Sequence, residues 1–368
     1  MPYTALPMVP GPVSVPDDIL TAMTRDYGSG QIETDFLKLY HTTGRNLAKI
    51  MGTQHDVVLM TGEGMLALWS GLKSCLRPGQ RVLSLATGVF GDGIGHMAAS
   101  MGCEVRWISY GFDESIHDFD RIADVVRDFK PHMITAVHCE TPSGTFNPIA
   151  EIGAIKRHYQ VPLLYVDAVA SLGGAPVEMD AWHVDLLLGG SQKCLSAPPS
   201  MSILGVSPAA WEIARRIQYQ GYDALSPWQS VQADGRCPYT PYWHGVAALH
   251  AATERIFAEG LGAVFSRHEQ AAAACHKGLA DAGIALWNTP ESLSASTVTA
   301  ARIPEGLDWP TWREALRQQG LVVAGSFGPM AGKVFRLGHM GTQADLQLIQ
   351  QACHVINYTK KQLLPAKS

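Results

Sequence analysis

The sequence lacks the features of a membrane or secreted protein. Its 368 residues contain no apolar run of about eighteen residues, the length needed to cross a bilayer. The proline-rich start, MPYTALPMVPGPVSVP, has neither the basic region nor the apolar segment of a signal peptide. These absences predict a soluble protein of the cytoplasm with no membrane partner.

The sequence also lacks blocks of like charge and paired cysteines. Its 28 basic and 33 acidic residues are mixed along the chain and give a net charge of −5, so neither nucleic acid nor an anionic membrane is an expected partner. The seven cysteines form no CxxC pair, and their number is odd. We therefore expect neither a disulfide framework nor a metal site, which agrees with a reducing compartment.

What the sequence does contain is an alternation of strand and helix patterns. Helical spacing occurs at 65–76, 93–101, 117–129 and 149–159. Near-continuous apolar strands between helices predict an α/β fold whose mainly parallel, seven-stranded sheet is covered on both faces. The predicted strands are 56–60, 81–86, 104–110, 133–139, 162–169, 184–190 and 202–207.

The pattern changes after about residue 240. Two helical segments, 244–260 and 268–283, precede the alternating segments ASTVTAARI, LVVAGS and KVFRLGHMG. That order predicts a smaller α+β domain at the C-terminal end. We expect an N-terminal arm at 1–15, a large cofactor-binding domain at 16–258 and a small domain at 259–368.

Two charged side chains stand out where predicted strands end. Asp167 follows LLYV, and Lys193 follows LLLGGSQ, so both belong to the sheet edge where ligands bind in open parallel sheets. Taken singly, the aspartate suits a turn or helix cap, and the lysine suits a salt bridge or phosphate site. Together they suit pyridoxal chemistry, in which a lysine forms an imine and a carboxylate keeps the pyridine nitrogen protonated. Phe90 could stack on such a ring, and Thr141 could bind its phenolic oxygen.

The segments VDAVASLGGAPVEMD and DLLLGGSQKCLSAPP resemble the class V aminotransferases of the fold-type I pyridoxal-phosphate superfamily. The resemblance runs from GPVSVP through TGEG and TPSGTFNPI to FRLGHMGTQAD, which is nearly the whole chain. Within this family the chain is similar to the alanine–glyoxylate and serine–pyruvate aminotransferases, and most of all to the pyridoxamine–pyruvate aminotransferases. The resemblance implies the fold-type I architecture and pyridoxal 5'-phosphate, or free pyridoxal or pyridoxamine, as the bound group.

The resemblance also implies roles for individual residues on the cofactor side of the site. Lys193 matches the Schiff-base lysine and general acid/base, and Asp167 matches the partner of the pyridine nitrogen. Phe90 matches the stacking ring. Gln192 and Thr141 match residues that hold the cofactor.

Two further matches concern the substrate and the assembly. Arg336, in FRLGHMG, matches the arginine that binds the substrate carboxylate, a role that suits the two parallel hydrogen bonds of a guanidinium. Thr240, in CPYTP, matches a residue that reaches the cofactor of a partner subunit. This match implies a homodimer, or a dimer of dimers, with shared active sites.

One loop, TGEGM at 61–65, departs from the family pattern. Most members bind the cofactor phosphate here with small hydroxyl residues and backbone amides at a helix N-terminus. In one interpretation Glu63 turns away as a capping residue, while Thr61, Gly62, Gly64 and Thr240 bind the phosphate. In the other, no phosphate is bound, and Glu63 accepts a hydrogen bond from the hydroxymethyl group of free pyridoxal or pyridoxamine.

Both interpretations of this loop have support. The pyridoxamine–pyruvate aminotransferases also have a glutamate here, and they treat the vitamer as a substrate. Their loop, however, has a proline after the glutamate, whereas Gly64 keeps a backbone amide that can donate to a phosphate. Glu63 is therefore a candidate ligand of either cofactor or substrate.

The predicted function is transfer of an amino group between a small amine or amino acid and a 2-oxo acid, pyruvate or glyoxylate. The alternative is a lyase of the desulfurase or aldolase type on the same fold. A desulfurase needs a reactive cysteine on a mobile loop late in the chain. Cys275 and Cys353 lie in helical patterns instead, and Cys194 suits a packing role.

Overall fold

The computed structural model describes residues 5–229, 231 and 236–364. The strands, in chain order, are β1 (Leu6–Pro7), β2 (Asp56–Thr61), β3 (Arg81–Ala86), β4 (Glu104–Ser109), β5 (Met133–Val137), β6 (Cys139–Glu140), β7 (Thr145–Phe146), β8 (Leu163–Asp167), β9 (Leu186–Gly190), β10 (Met201–Val206), β11 (Val298–Arg302), β12 (Leu321–Val322), β13 (Ala324–Gly325) and β14 (Val334–Gly338).

The helices of the described residues follow the same order. They are α1 (Asp17–Ala22), α2 (Thr34–Ile50), α3 (Gly64–Cys75), α4 (Val89–Ser100), α5 (Phe119–Phe129), α6 (Ile149–His158), α7 (Pro208–Ile217), α8 (Trp243–Glu259), α9 (Leu261–Asp281), α10 (Trp309–Gln318) and α11 (Leu346–Leu363). None of them combines the length and the apolar character that a membrane crossing requires.

Seven strands form one sheet, in the order β2-β10-β9-β8-β5-β3-β4. Only β10 runs antiparallel to its neighbours β2 and β9, and the other pairs are parallel. The predicted mainly parallel, seven-stranded α/β sheet is therefore confirmed. Asp167 pairs with Val137 of β5 and with Leu188 of β9, so the carboxyl ends of these three strands share one edge.

The loop that contains Lys193 reverses the chain between β9 and the antiparallel β10. The Ser191 hydroxyl donates to the Pro198 carbonyl (2.6 Å) and accepts from the Met201 amide (3.1 Å), which closes the two ends of the loop. Ser196 has a left-handed backbone, with a φ of 54°. These contacts place the lysine over the carboxyl edge of the sheet.

A second hydrophobic core lies apart from the one around the large sheet. It contains Met8, Cys275, Trp312, Phe335 and Ile356, together with neighbours from the same segments. Nearby, β14 pairs antiparallel with β11 and β13, which confirms the predicted α+β character of this region. The exact division of the chain into arm, large and small parts stays a prediction.

The largest difference from the expected helix boundaries lies in the C-terminal part of the chain, and α4 also begins four residues early, at Val89. The predicted helix at 268–283 begins earlier, at Leu261, directly after α8. Gly260 is the only residue between the two helices, and its φ of 90° makes the turn possible. The sequence did not indicate the early start, because two glycines, Gly260 and Gly262, interrupt the helical pattern at this point.

Candidate active site

A cavity of about 140 Å³ lies where β8 and β9 end and α3 and α4 begin. Its wall combines five segments that are distant in sequence. Predicted site residues that line it are Glu63, Gly64, Phe90, Thr141, Asp167, Gln192 and Lys193. The carboxyl edge of the sheet thus brings together most of the residues that the sequence had singled out.

Lys193 is partly buried, and its Nζ donates to the carbonyl of Pro10 at 2.6 Å. Burial is the main cause that lowers the pKa of the Lys193 amine, and the charge of Arg336 lowers it further. Asp167 acts in the opposite direction. A lowered pKa increases the fraction of neutral amine, the form that acts as a nucleophile or base.

Asp167 ends β8 and is 8 % exposed. Its Oδ1 accepts a hydrogen bond from the Val169 amide at 2.8 Å, which orients the carboxyl group. Burial raises the pKa of Asp167 to about 6, and Glu63 also acts to raise it, while Lys193 acts to lower it. A cation beside the carboxyl group would favour its ionised form, and a protonated ring nitrogen is such a cation.

Glu63 occupies the N-cap position of α3, and its side chain forms no capping hydrogen bond. The capping contact expected in one interpretation is therefore not formed. The Gly62 amide donates to the carbonyl of Ser200 at 2.8 Å, so it already has a partner within the chain. The exposed Glu63 carboxylate is left facing the cavity that it lines.

Glu140 is a fully buried carboxyl group that the sequence analysis did not identify. Its Oε1 accepts from the Gly91 amide at 2.6 Å, and its Oε2 accepts from the Phe90 amide at 3.4 Å. The two amides belong to the first turn of α4, where backbone donors lack partners within the helix. Glu140 therefore holds the turn that carries the Phe90 ring.

We expect Glu140 to make the protein less stable as the pH rises. Burial raises the pKa of Glu140 from 4.5 to about 8, so the folded state binds a proton that the unfolded state releases. Between pH 6 and 8 the free energy of unfolding should fall with rising pH by on the order of 1 kcal/mol per pH unit from this group. Glu140→Gln should remove that part of the slope, measured by urea unfolding. The exposed Glu151→Gln is the control, and parallel curves for all three proteins would contradict the expectation.

Arg336 lies in β14 and is 5 % exposed. Its Nε donates to the Gly325 carbonyl (2.7 Å) and its Nη1 to the Thr141 carbonyl (3.3 Å), while the Phe327 ring lies 4.8 Å from its Cζ. Burial lowers the pKa of Arg336 to about 10. The guanidinium does not line the cavity, but it is near enough for its charge to act on Lys193.

Of two further residues predicted to bind the cofactor, Gln192 is buried in the cavity wall and Thr240 is exposed outside it. Gln192 is 7 % exposed, and its Oε1 is buried with no hydrogen-bond partner within the described part of the chain. A buried acceptor of this kind needs a donor, which a bound ligand or a water molecule can supply. Thr240 is exposed and lies outside the cavity wall of its own chain.

The chain matches the family model described as Aminotransferase class-V over residues 17–338. The chain belongs to the class V aminotransferases. It is 32% identical to a pyridoxamine–pyruvate transaminase of Mesorhizobium japonicum, over 91% of this chain and 86% of that protein. Among solved structures, a pyridoxamine–pyruvate aminotransferase from Mesorhizobium loti has a TM-score of 0.92 and 29% identity, covering 97% of this chain and 92% of that one. An alanine–glyoxylate aminotransferase from Nostoc sp. has a TM-score of 0.92 and 28% identity, covering 97% and 95%.

The cavity fits the pyridoxal group that class V aminotransferases use. It offers a partly buried amine with a lowered pKa, a buried carboxyl group at a strand end, an aromatic ring and an unpartnered amide oxygen. Lys193, Asp167, Phe90 and Gln192 are the residues that would hold the group.

The lyase alternative is not favoured for this class V aminotransferase. Cys275 lies in α9 and Cys353 in α11, both buried, so neither stands on a mobile loop near the cavity. Cys194 is next to the lysine, but burial raises the pKa of its thiol to about 12. A protonated thiol is a poor nucleophile at neutral pH.

Proposed function

We propose that this class V aminotransferase transfers an amino group between a small amine and a 2-oxo acid such as pyruvate or glyoxylate. We further propose that non-phosphorylated pyridoxamine or pyridoxal is one of its substrates. The observation that supports this choice is the carboxylate of Glu63, which lines the cavity at the start of α3 without a partner for its side chain at the helix cap.

The charges around the cavity favour a ligand without a phosphate. Lys193 is the only basic residue in the described cavity wall, while Glu63 and Asp167 are both acidic. A phosphate beside Glu63 would place like charges together, which disfavours a phosphorylated ligand. The hydroxymethyl group of pyridoxamine instead offers a hydrogen-bond donor to an acceptor carboxylate.

Each residue of the proposed site has a separate task. A bound pyridoxal compound supplies a conjugated ring that withdraws electrons from the carbon where protons are exchanged. Asp167 holds the proton on the ring nitrogen, and Phe90 packs against the ring. Lys193 takes and returns protons at its Nζ, since the lowered pKa of its amine increases the fraction in the neutral, basic form. Arg336 binds and orients the carboxylate of the 2-oxo acid.

A second candidate function keeps resident pyridoxal phosphate, with an amino acid as the donor. The observation in its favour is the N-terminus of α3, which begins at Gly64 in the cavity wall and offers backbone donors and a favourable helix dipole to an anion. In that case Thr61 and Gly64, with Thr240 of the other copy, would bind the phosphate and Glu63 would point away. The Gly62 amide could join them only by giving up its hydrogen bond to the Ser200 carbonyl.

We expect the protein to bind pyridoxal more tightly than pyridoxal phosphate. Glu63→Gln should weaken this preference by about tenfold or more, because the variant keeps the size of the side chain but removes the negative charge. The measurement is equilibrium titration of both compounds, followed by absorbance, against wild type and variant.

Two outcomes would decide against free pyridoxal as a substrate. One is retention of pyridoxal phosphate through purification, and the other is an unchanged preference in Glu63→Gln. Glu305→Gln, an exposed position outside the cavity wall, is the matched control and should leave both affinities as they are. Product analysis with pyruvate or glyoxylate and a panel of amines, pyridoxamine included, then identifies the donor.

We also propose a homodimer, or a dimer of dimers, of cytoplasmic location. The exposed Thr240 supports a shared site, because it lies outside the cavity of its own chain and is available to another copy. We also propose the arm at 1–15 and the domain boundary at 258. The cavity wall then belongs to the large domain, and Arg336, whose charge acts on Lys193, belongs to the small one.

A further inference from the structure

The N-terminal segment around Pro10 is attached to the fold at several points. On one side, the Met8 carbonyl accepts from the Gly338 amide (2.7 Å) and the Val9 carbonyl accepts from the Gln343 side chain (2.8 Å). On the other side, the Val13 amide donates to the carbonyl of Gln192 (3.1 Å). The turn between these anchors has a defined position beside the lysine loop.

Within this turn, the carbonyl of the buried Pro10 accepts the hydrogen bond from Lys193. The next residue, Gly11, has a φ of 83° and leaves no room for a side chain. A Cβ built there would lie 2.9 Å from Nζ of Lys193 and would overlap its Cδ. Glycine at position 11 is therefore what lets the lysine reach the Pro10 carbonyl.

We propose that the Pro10 carbonyl is a positioning site for the free amine of Lys193, and that Gly11 keeps this site accessible. The lysine would occupy this position whenever its nitrogen is not bonded to the carbonyl carbon of a bound compound. A hydrogen bond that holds the side chain in one rotamer keeps the amine close to the reacting carbon, because fewer other conformations compete. The proposal rests on the proposed function, in which Lys193 moves protons.

The protonation state of the Lys193 amine depends on the charged groups near it and on its hydrogen bond to the Pro10 carbonyl. Arg336, from β14, disfavours the ammonium form, whereas Asp167, from β8, favours it. The thiols of Cys139 and Cys194 also lie near the amine, but burial raises the pKa of both, so they are uncharged near neutral pH. The Pro10 carbonyl is a neutral acceptor that stabilises the ammonium form by a charge-assisted hydrogen bond. Loss of that acceptor should therefore shift the balance towards neutral amine.

The test is the pH dependence of Lys193 labelling in the full chain, after hydroxylamine dialysis has removed any bound carbonyl compound. Amines react with acetic anhydride only in their neutral form. Mass spectrometry of the Lys193 peptide therefore measures acetylation at each pH and gives the pH midpoint of Lys193 labelling. Gly11→Ala should lower this midpoint by about one to two pH units, the equivalent of one hydrogen bond to a charged group. The exposed Lys38 is the reference lysine within each sample.

The matched control is Gly79→Ala. Gly79 has nearly the same backbone, with a φ of 81°, but a Cβ there meets nothing within 4 Å. In both variants an alanine must adopt a left-handed backbone conformation, which costs a similar amount of stability. Only in Gly11→Ala does the new Cβ come close to the side chain of Lys193. Equal midpoints for Gly11→Ala, Gly79→Ala and wild type would overturn the proposal.

A milder variant serves if Gly11→Ala does not fold. Gln343→Ala removes the donor that holds the Val9 carbonyl, so the turn loosens without a clash, and the midpoint should move in the same direction by a smaller amount. An unchanged midpoint in this variant would also overturn the proposal. The labelling result does not depend on the proposed function, because the experiment uses no substrate. The proposed function is tested separately, by the titrations of pyridoxal and pyridoxal phosphate.

Discussion

Replacement of Lys193 by alanine is expected to slow amino transfer by about 10²- to 10⁴-fold, the usual contribution of a general acid–base group. Lys193 is the only residue of the described cavity wall whose side chain is an amine, and burial has lowered its pKa towards neutrality. Without it, no side chain of the wall replaces its proton transfer. The measurement is a single turnover of pyridoxamine with pyruvate or glyoxylate, followed by the absorbance of pyridoxal.

Two comparisons separate the chemistry of Lys193 from its charge. Lys193→Arg keeps a cation, but a guanidinium does not lose its proton near neutral pH, so this variant should be as slow as the alanine variant. Added methylamine should restore part of the rate in Lys193→Ala, because the shortened side chain leaves space for a small amine. Lys38→Ala, at an exposed position, should behave as wild type. A normal single-turnover rate in Lys193→Ala would rule out the proposed mechanism.

Replacement of Asp167 by asparagine is expected to lower the rate by about 10²- to 10³-fold, the magnitude typical of losing one electrostatic contact to a transition state. The amide oxygen still accepts from the Val169 amide, so the shape of the site is kept. The negative charge that would keep a ring nitrogen protonated is lost. The same single-turnover assay measures the rate, and urea unfolding measures stability. Stability should not fall, since burial raises the pKa of this carboxyl group and its ionised form is costly without a cation beside it.

The matched control is Asp185→Asn, which should lower the stability of the protein but not the rate of amino transfer. Asp185 is also buried, but it forms an ion pair with Lys156 at 3.0 Å and accepts from the Leu164 amide at 2.8 Å, away from the cavity wall. Its loss leaves the Lys156 charge without a partner, which should cost a few kcal/mol of stability and leave the single-turnover rate nearly unchanged. Equal effects of Asp167→Asn and Asp185→Asn on rate and stability would mean that Asp167 has only a structural role.

The large sheet and the charged pair at its edge were predictable from the sequence. Short apolar strands alternating with helices leave few other arrangements than a covered parallel sheet, and the carboxyl ends of its strands must meet. Asp167 and Lys193 each follow such a strand, so their meeting follows from the topology. The family resemblance added Arg336, which no strand-end argument would have selected.

Three contacts at the site, made by Glu140, Phe327 and Pro10, could not be predicted from strand order or from the family resemblance. Glu140 directly precedes Thr141, in a segment that attracted attention only for its hydroxyl groups. Its position after a buried strand was the one signal that could have identified it. Phe327, whose ring lies over Arg336, is one of several exposed apolar residues and has no distinguishing pattern. Pro10 meets Lys193 through its backbone carbonyl, which every residue has.

The amino-acid sequence by itself determined the fold class, the aminotransferase family and the residues that meet at the carboxyl edge of the sheet. It did so because strand periodicity and residue type are local properties of the chain. Only the tertiary structure decided which groups surround the lysine, how deeply Asp167 and Glu140 are buried, and that the Gly62 amide is bonded to Ser200. Those features depend on contacts between segments far apart in sequence, such as Pro10 and Lys193, and burial sets the pKa of a group only after the fold has formed.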